Sequence, residues 1–144
     1  MDETLVIVGR LALAASLGMV IGIERTYRAK TAGVRTHFLV ALGSALFMVV
    51  SRYGFDGVGD PGRVAAQIVS GIGFLGAGTI IMQKQVVHGL TTAAGLWVAA
   101  GIGMASASGL YLIALVSTAL AIVGLEVIGR FAPHNKHGDG ISVA

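Results

Sequence analysis

The most informative stretch of this sequence is Gly71-Ile-Gly73-Phe-Leu-Gly76-Ala-Gly78-Thr-Ile80, which places four glycines within eight positions of a long apolar run. Glycine inside a helix costs roughly 0.5–1 kcal/mol relative to alanine, so some benefit must offset this choice. Within a membrane, glycine lets neighbouring helices come close to backbone contact, or it lets a helix unwind and expose carbonyls and amides to an ion. We favour close packing and keep the unwound segment as the alternative.

Composition identifies the class of protein. The chain has 144 residues, of which 55% are hydrophobic and 12% charged, whereas soluble domains average about 25% charged residues. The charges form short clusters between long apolar runs, as in a polytopic membrane protein. The first run is too long for a signal peptide, so we expect it to remain as a span.

Two further features exclude classes of function. The absence of cysteine excludes disulfides, thiolate metal sites and cysteine nucleophiles. The net charge of +3 does not indicate nucleic-acid binding. Its cations gather at one membrane face, where acidic lipid headgroups are the better partner.

We predict an all-α integral membrane protein, a bundle of five transmembrane helices. The spans are expected at about residues 5–23, 36–53, 63–82, 89–105 and 110–129. The membrane domain then covers residues 1–130, and residues 131–144 form a polar, disordered cytoplasmic tail.

Loop charges predict the orientation. The cations on one side of the predicted membrane are Arg25, Arg28, Lys30, Arg35, Lys84, Arg130 and Lys136. The other side has Arg52 and Arg63, with Asp2 and Glu3. Positive loops remain in the cytoplasm, which predicts an external amino terminus and a cytoplasmic carboxy terminus.

Small residues recur at helical spacing in three spans. The ladders are Ala14, Gly18 and Gly22 in span 1, then Gly62, Ala66, Ser70, Gly73 and Ala77 in span 3, and Gly95, Ala99, Gly103 and Ala107 in span 4. Such ladders are typical of close helix contact. We expect spans 3 and 4 at the centre of the bundle or at a subunit interface, and a homodimer is the most common closed assembly.

Polar residues near the cytoplasmic ends of the spans are the candidate ligand or ion site. They are Glu24, Arg25, Arg35, Thr36, His37, Thr79, Thr91, Thr92 and Glu126. Glu24 and Glu126 could give oxygen ligands to Mg²⁺, with Glu24 the candidate metal ligand. Alternatively, Glu24 pairs with Arg28 and the threonines bond to their own helices. The crowded cations weigh against a simple cation site.

Two smaller questions stay open. Arg10, near the start of span 1, is interpreted as extending to the nearer headgroups, with pairing inside the bundle as the alternative. Gly71, Gly73 and Gly76 match G-x-G-x-x-G, but no strand precedes them, so we treat the match as accidental.

No nucleophile elbow or metal-binding H-E-x-x-H motif occurs, and we expect no enzymatic activity.

Four segments together resemble one family. They are Gly22-Ile-Glu-Arg25, Lys30-Thr-Ala-Gly-Val-Arg-Thr-His37, Gly71-Ile-Gly-Phe-Leu-Gly-Ala-Gly-Thr-Ile80 and Gly89-Leu-Thr-Thr-Ala-Ala-Gly-Leu-Trp97. Over about residues 5–128 the chain resembles the MgtC/SapB family of bacterial inner-membrane proteins. The resemblance implies links to growth in low magnesium, survival inside macrophages and acid tolerance. It also implies ATP synthase as a partner. Longer members continue into a soluble domain.

Two functions follow as hypotheses. The preferred one is a non-enzymatic inner-membrane protein in magnesium and envelope homeostasis, acting through helix contacts with itself or a partner. The alternative is a small transporter or channel for magnesium, another cation or protons, lined by spans 3 and 4. No cofactor is expected other than Mg²⁺.

Overall fold

The chain folds into five helices followed or joined by short strands. The structure, a computed structural model, describes residues 2–55, 60–83, 86–128 and 141–142. The elements are α1 (Glu3–Tyr27), α2 (Val34–Tyr53), α3 (Pro61–Ala77), β1 (Ile81–Gln83), β2 (Val86–His88), α4 (Leu90–Ala107), α5 (Tyr111–Val123) and β3 (Ile141–Ser142). A π-helical turn, Gly124–Ile128, continues α5. The predicted number of helices is confirmed.

Four of these helices are long and apolar enough to cross a membrane, which makes the chain a multi-pass membrane protein. They are α1, α2, α4 and the α5 segment extended to Ile128. α3 has 17 residues, a length of about 25 Å, compared with about 30 Å of hydrocarbon in a bilayer. A fifth span, the orientation of the chain and its dimeric state therefore stay predictions.

α4 is the centre of the bundle. It packs against each of the other four helices, while α1 and α2 pack along each other and together cover one side of α4. The core joining α2, α3 and α4 contains Val40, Ile68, Ile72 and Leu96. Small side chains make this arrangement close, because backbones approach where no bulky residue separates them.

The small-residue ladders of α1 and α4 form close contacts, as predicted. A Cβ added at Gly18 would lie 2.5 Å from the carbonyl oxygen of His37, and one at Gly22 would lie 2.6 Å from the Cα of Val34. In α4, a Cβ at Gly103 would lie 2.2 Å from the carbonyl oxygen of Ala41. These helices therefore meet at distances that only glycine permits.

The prediction that span 3 lies at the centre of the bundle is wrong for the single chain. All five residues of the α3 ladder are exposed, and α3 instead buries Ile68, Ile72 and Gly76. A Cβ at Gly71 or Gly73 would meet nothing within 4 Å. α3 contributes Ile68 and Ile72 to the apolar core, where burial removes their side chains from contact with solvent, while Phe74 and Leu75 stay exposed together with the small-residue face. A role for that face at a subunit interface stays a prediction.

Span 3 also ends earlier than predicted. α3 stops at Ala77, and the chain turns into a hairpin in which Ile81 pairs with His88 and Met82 with Val87. β-Branched residues such as Ile81 and Val86 favour strand over helix. Gly89 then leads into α4 with φ +89, and a Cβ there would lie only 1.9 Å from the carbonyl oxygen of Thr79, so glycine is required at this position.

Part of the tail pairs with the hairpin. Ile141 aligns with Val87 and Ser142 with Val86 in an antiparallel ladder. The rest of the tail lies outside the described residues, and its predicted disorder stays a prediction.

Candidate functional site

A buried ion pair joins two adjacent residues at the carboxyl end of α1. Glu24 is 8% exposed and Arg25 3% exposed. The Nη2 of Arg25 donates to Glu24 Oε1 at 2.9 Å, and Arg25 Nε donates to Oε2. This two-pronged geometry suits guanidinium and carboxylate, and it occupies both carboxylate oxygens.

Arg28 extends this pair to the end of α5. Its Nε lies 3.7 Å from Glu24 Oε1, and its Nη2 donates to Glu126 Oε2. The hydrogen bond that Arg28 donates to the Glu126 carboxylate raises the pKa of the Arg28 guanidinium. The structure thus brings Glu24, Arg25 and Glu126 together through Arg28, a connection between α1 and the last turn of the bundle. The predicted pairing of Glu24 with Arg28 is present, but it is secondary to Arg25.

His37 is the buried polar residue of α2 at the same end. It is fully buried, and its Nδ1 lies 3.0 Å from the carbonyl oxygen of Gly33. Its Nε2 faces α4, where a Cβ on Gly95 would lie 3.3 Å away. Glu24 and Arg25 are close enough to act on it electrostatically. We call Glu24, Arg25, Arg28, His37 and Glu126 the polar cluster.

Two buried nitrogen atoms of the polar cluster lack a hydrogen-bond partner among the described residues. They are Arg25 Nη1 and His37 Nε2. A buried polar group without a partner costs free energy, typically about 1–3 kcal/mol. A water or a small polar ligand would therefore be stabilised there.

Arg35 and Thr36 are separated from the polar cluster. Both are exposed, and they stand at one end of a groove of about 670 Å³ between α2 and α3, here called the α2–α3 groove. Within a single chain they therefore lie apart from Glu24, on the surface of the bundle.

The threonines also have separate surroundings. The Thr79 hydroxyl donates to the carbonyl oxygen of Gly76 at 2.8 Å, which ties it to the end of α3. Thr92 is buried in the first turns of α4. Thr91 is exposed and lines a second groove of about 270 Å³ between α4 and α5, together with Gly95. We call this the α4–α5 groove.

The glycine-rich segment is not unwound. α3 continues through Gly71, Gly73 and Gly76 and is capped at Gly78. Gly76 alone of these four contacts another helix, since its Cβ would lie 3.6 Å from the Cβ of Ala93. Within this chain the segment is therefore neither a broken-helix ligand site nor, apart from Gly76, a tight packing face.

The Glu24 metal site stays a prediction. Among the described residues, no group of three or more histidine or carboxylate side chains is placed to hold a metal ion. Arg25 and Arg28 already surround Glu24 with positive charge, which would oppose a divalent cation.

At the opposite end of the bundle, the partly buried Arg10 hydrogen-bonds to two neighbouring helices. Its Nε donates to the Tyr111 hydroxyl and its Nη1 to the carbonyl oxygen of Ala107, both at 3.1 Å. These bonds join α1 to the end of α4 and the start of α5. Whether Arg10 also reaches the lipid headgroups stays a prediction.

Sequence reasoning missed Thr26 and Gly95. The Thr26 hydroxyl accepts from the Val34 amide at 2.9 Å and closes the α1–α2 loop. Gly95 makes room for the His37 ring. Gly95 belonged to a recognised ladder, but the sequence carries no signal for which side chain would fill the space beside it.

The chain is similar to known proteins over most of its length. The profile of the MgtC family matches residues 11–133. The protein YhiD of Escherichia coli K12, named as a proposed magnesium transporter, is 51% identical over 82% of this chain and 58% of its own length. Protein MgtC of Salmonella typhimurium is 48% identical over 78% of this chain and 48% of its own. Protein slr0014 of Synechocystis is 45% identical, covering 87% and 54%.

The chain thus spans about half the length of the curated relatives that it matches. No solved structure matches it.

Proposed function

Because the chain belongs to the MgtC family, we propose that it acts in magnesium homeostasis as a non-enzymatic membrane protein that works through helix contacts. The name of its relative YhiD supports magnesium as the ion concerned. The resemblance to MgtC/SapB proteins supports the bacterial inner membrane as its location and low-magnesium or acid stress as the condition.

The outward face of α3 is the observation that carries this proposal. Its ladder, Gly62, Ala66, Ser70, Gly73 and Ala77, is exposed along the whole helix. Membrane helices associate through such faces. Lipid tails are as apolar as the side chains, so the hydrophobic effect does not favour association, and the close packing of small residues stabilises it instead. A second copy of the chain, or a helix of a partner such as ATP synthase, fits this face.

The buried carboxylate of Glu24 also favours a regulator over a cation pathway. Both of its oxygens accept hydrogen bonds from Arg25. Ion pathways need oxygens that can replace the water around the ion, and these two oxygens are engaged.

Photocrosslinking in bacterial membranes tests the contact. A photoreactive phenylalanine analogue at Ser70 or Gly73 should give one crosslinked species of defined mass. The matched control is the same analogue at Leu112, which is exposed on α5 and belongs to no ladder. A defined species from Leu112 as well, or only lipid adducts from α3, would contradict the proposal.

A transporter is the second candidate, and the unpartnered nitrogens favour it. His37 Nε2 and Arg25 Nη1 offer buried sites for a polar ligand, and Gly95, next to His37, also lines the α4–α5 groove. Proteoliposomes loaded with a magnesium-sensitive dye test this candidate. A flux lost in Thr92→Val, with the variant still folded, would favour transport over regulation. No flux under Mg²⁺, K⁺ or H⁺ gradients would favour regulation.

A further inference from the structure

The α2–α3 groove is open, apolar and on the surface of the bundle. It exists because α3 packs more extensively on α4 than on α2. Leu39, Phe47 and Ile72 are among its apolar walls. Gly43 and Gly71 line it as well, and a Cβ at either would meet nothing within 4 Å. The groove is therefore space that the described part of the chain leaves unfilled.

One end of the groove carries a cation that no described carboxylate neutralises. Arg25 and Arg28 lie near the same end of the bundle, and both are paired with carboxylates. Arg35 is exposed and makes no hydrogen bond or ion pair with any described residue. Thr36 stands beside it in the first turn of α2, where the helix dipole also favours an anion.

The dimensions of the groove match one lipid leaflet. It runs along α2 from Thr36 to Phe47 and along α3 from Val64 to Leu75. Eleven residues of helix span about 17 Å, and one leaflet contributes about 15 Å of hydrocarbon. An apolar groove of this length with a cation at one end is complementary to a single acyl chain that carries an anionic headgroup.

We propose that the α2–α3 groove holds one acyl chain of an anionic phospholipid, whose phosphate is bound by Arg35 and Thr36. The guanidinium forms paired hydrogen bonds with phosphate oxygens, and a hydroxyl adds a third donor. The bound acyl chain fills the space between α2 and α3 and stabilises their packing. This role is independent of magnesium homeostasis and requires only that the chain lies in a membrane.

The remaining charges argue against a second copy of the chain as the occupant. An occupant of the groove must neutralise Arg35. The described carboxylates at this end, Glu24 and Glu126, are already bound to arginines. The small-residue ladder of α3 lies outside the groove lining, so a helix partner has a separate face to use.

Native mass spectrometry of the full chain, extracted from vesicles of equal phosphatidylglycerol and phosphatidylcholine, tests the proposal. The wild type should retain phosphatidylglycerol in preference. Arg35→Gln should lower that preference about fivefold, the factor expected for one arginine near a charged headgroup. Gly71→Leu should fill the groove and remove the retained lipid, whichever headgroup it carries. Gly43→Leu fills it from α2 and replaces Gly71→Leu if that variant fails to fold.

Two matched controls decide the outcome. Gly73→Leu adds the same side chain to the same helix, outside the groove, and should retain the lipid. Arg52→Gln removes an arginine from the other end of α2 and should keep the preference. Equal effects of control and test variants would overturn the proposal in favour of unspecific surrounding lipid. Retained lipid in Gly71→Leu with loss of a dimer would overturn it in favour of a second copy.

Discussion

α3 and α4 each carry a ladder of small residues, and the two ladders lie in opposite environments. Gly103 of α4 lies against the α2 backbone at a distance that excludes a larger side chain, and a Cβ at Gly95 would lie 3.3 Å from the His37 ring, whereas Gly71 and Gly73 of α3 face open space. α4 contacts every other helix, and α3 lies at the edge of the bundle. A ladder of small residues therefore indicates a packing face without indicating whether the partner belongs to the same chain.

The largest effect should come from the polar cluster at the α1 end of the core. Glu24→Gln removes the counter-ion of the buried Arg25, and breaking one side of a buried pair typically costs about 3–5 kcal/mol. Unfolding by sodium dodecyl sulfate in mixed micelles should show a loss of this size. Arg35→Gln, measured without anionic lipid, is the control and should change the free energy of unfolding little, because Arg35 is exposed and forms no ion pair with a described residue. Similar losses in both variants would mean that the buried Glu24–Arg25 pair stabilises the fold no more than the exposed Arg35 does.

Gly103→Ala tests the contact between α4 and α2 directly. Its new methyl group would lie 2.2 Å from the carbonyl oxygen of Ala41, a backbone atom that cannot rotate away. Overpacking of this kind typically costs about 1–3 kcal/mol, measured by the same unfolding titration. Gly101→Ala on the same helix has open space and should be neutral or slightly stabilising. A neutral Gly103→Ala would mean that α2 and α4 lie further apart.

Gly73→Ala on α3 should have the smallest effect, with the opposite sign. Without a neighbour to displace, the alanine should stabilise the monomer by about 0.5–1 kcal/mol through helix propensity. The same unfolding titration measures this gain. A loss of stability in the monomer would mean that Gly73 packs against another helix of the same chain.

The sequence was sufficient for most of the architecture. The long apolar runs gave five helices, and the α1 and α4 ladders gave the close contacts at Gly18, Gly22 and Gly103. The end of α3 was missed because Thr79 to Met82 is as apolar as the helix before it, and hydropathy does not distinguish helix from strand. The pairing of Glu24 with its neighbour Arg25 was missed because adjacent residues do not face each other along a regular helix.

The division of the candidate site could not be predicted either. Arg35 and His37 are two residues apart, yet one is exposed and the other fully buried. Helical spacing places them about 200° apart around α2, but the sequence does not say which side faces α4. That side is decided by Gly95, whose missing side chain admits the His37 ring.

Cysteine accessibility tests the central contrast most directly, because the chain has no cysteine of its own. Gly73→Cys and Ala99→Cys place a thiol on α3 and on α4, at an open position and at one that is 0% exposed. In the monomeric fraction in micelles, a membrane-permeable maleimide should label position 73 rapidly and position 99 only on unfolding. Equal protection of both thiols in the monomer would contradict the account, because α3 would then be buried like α4.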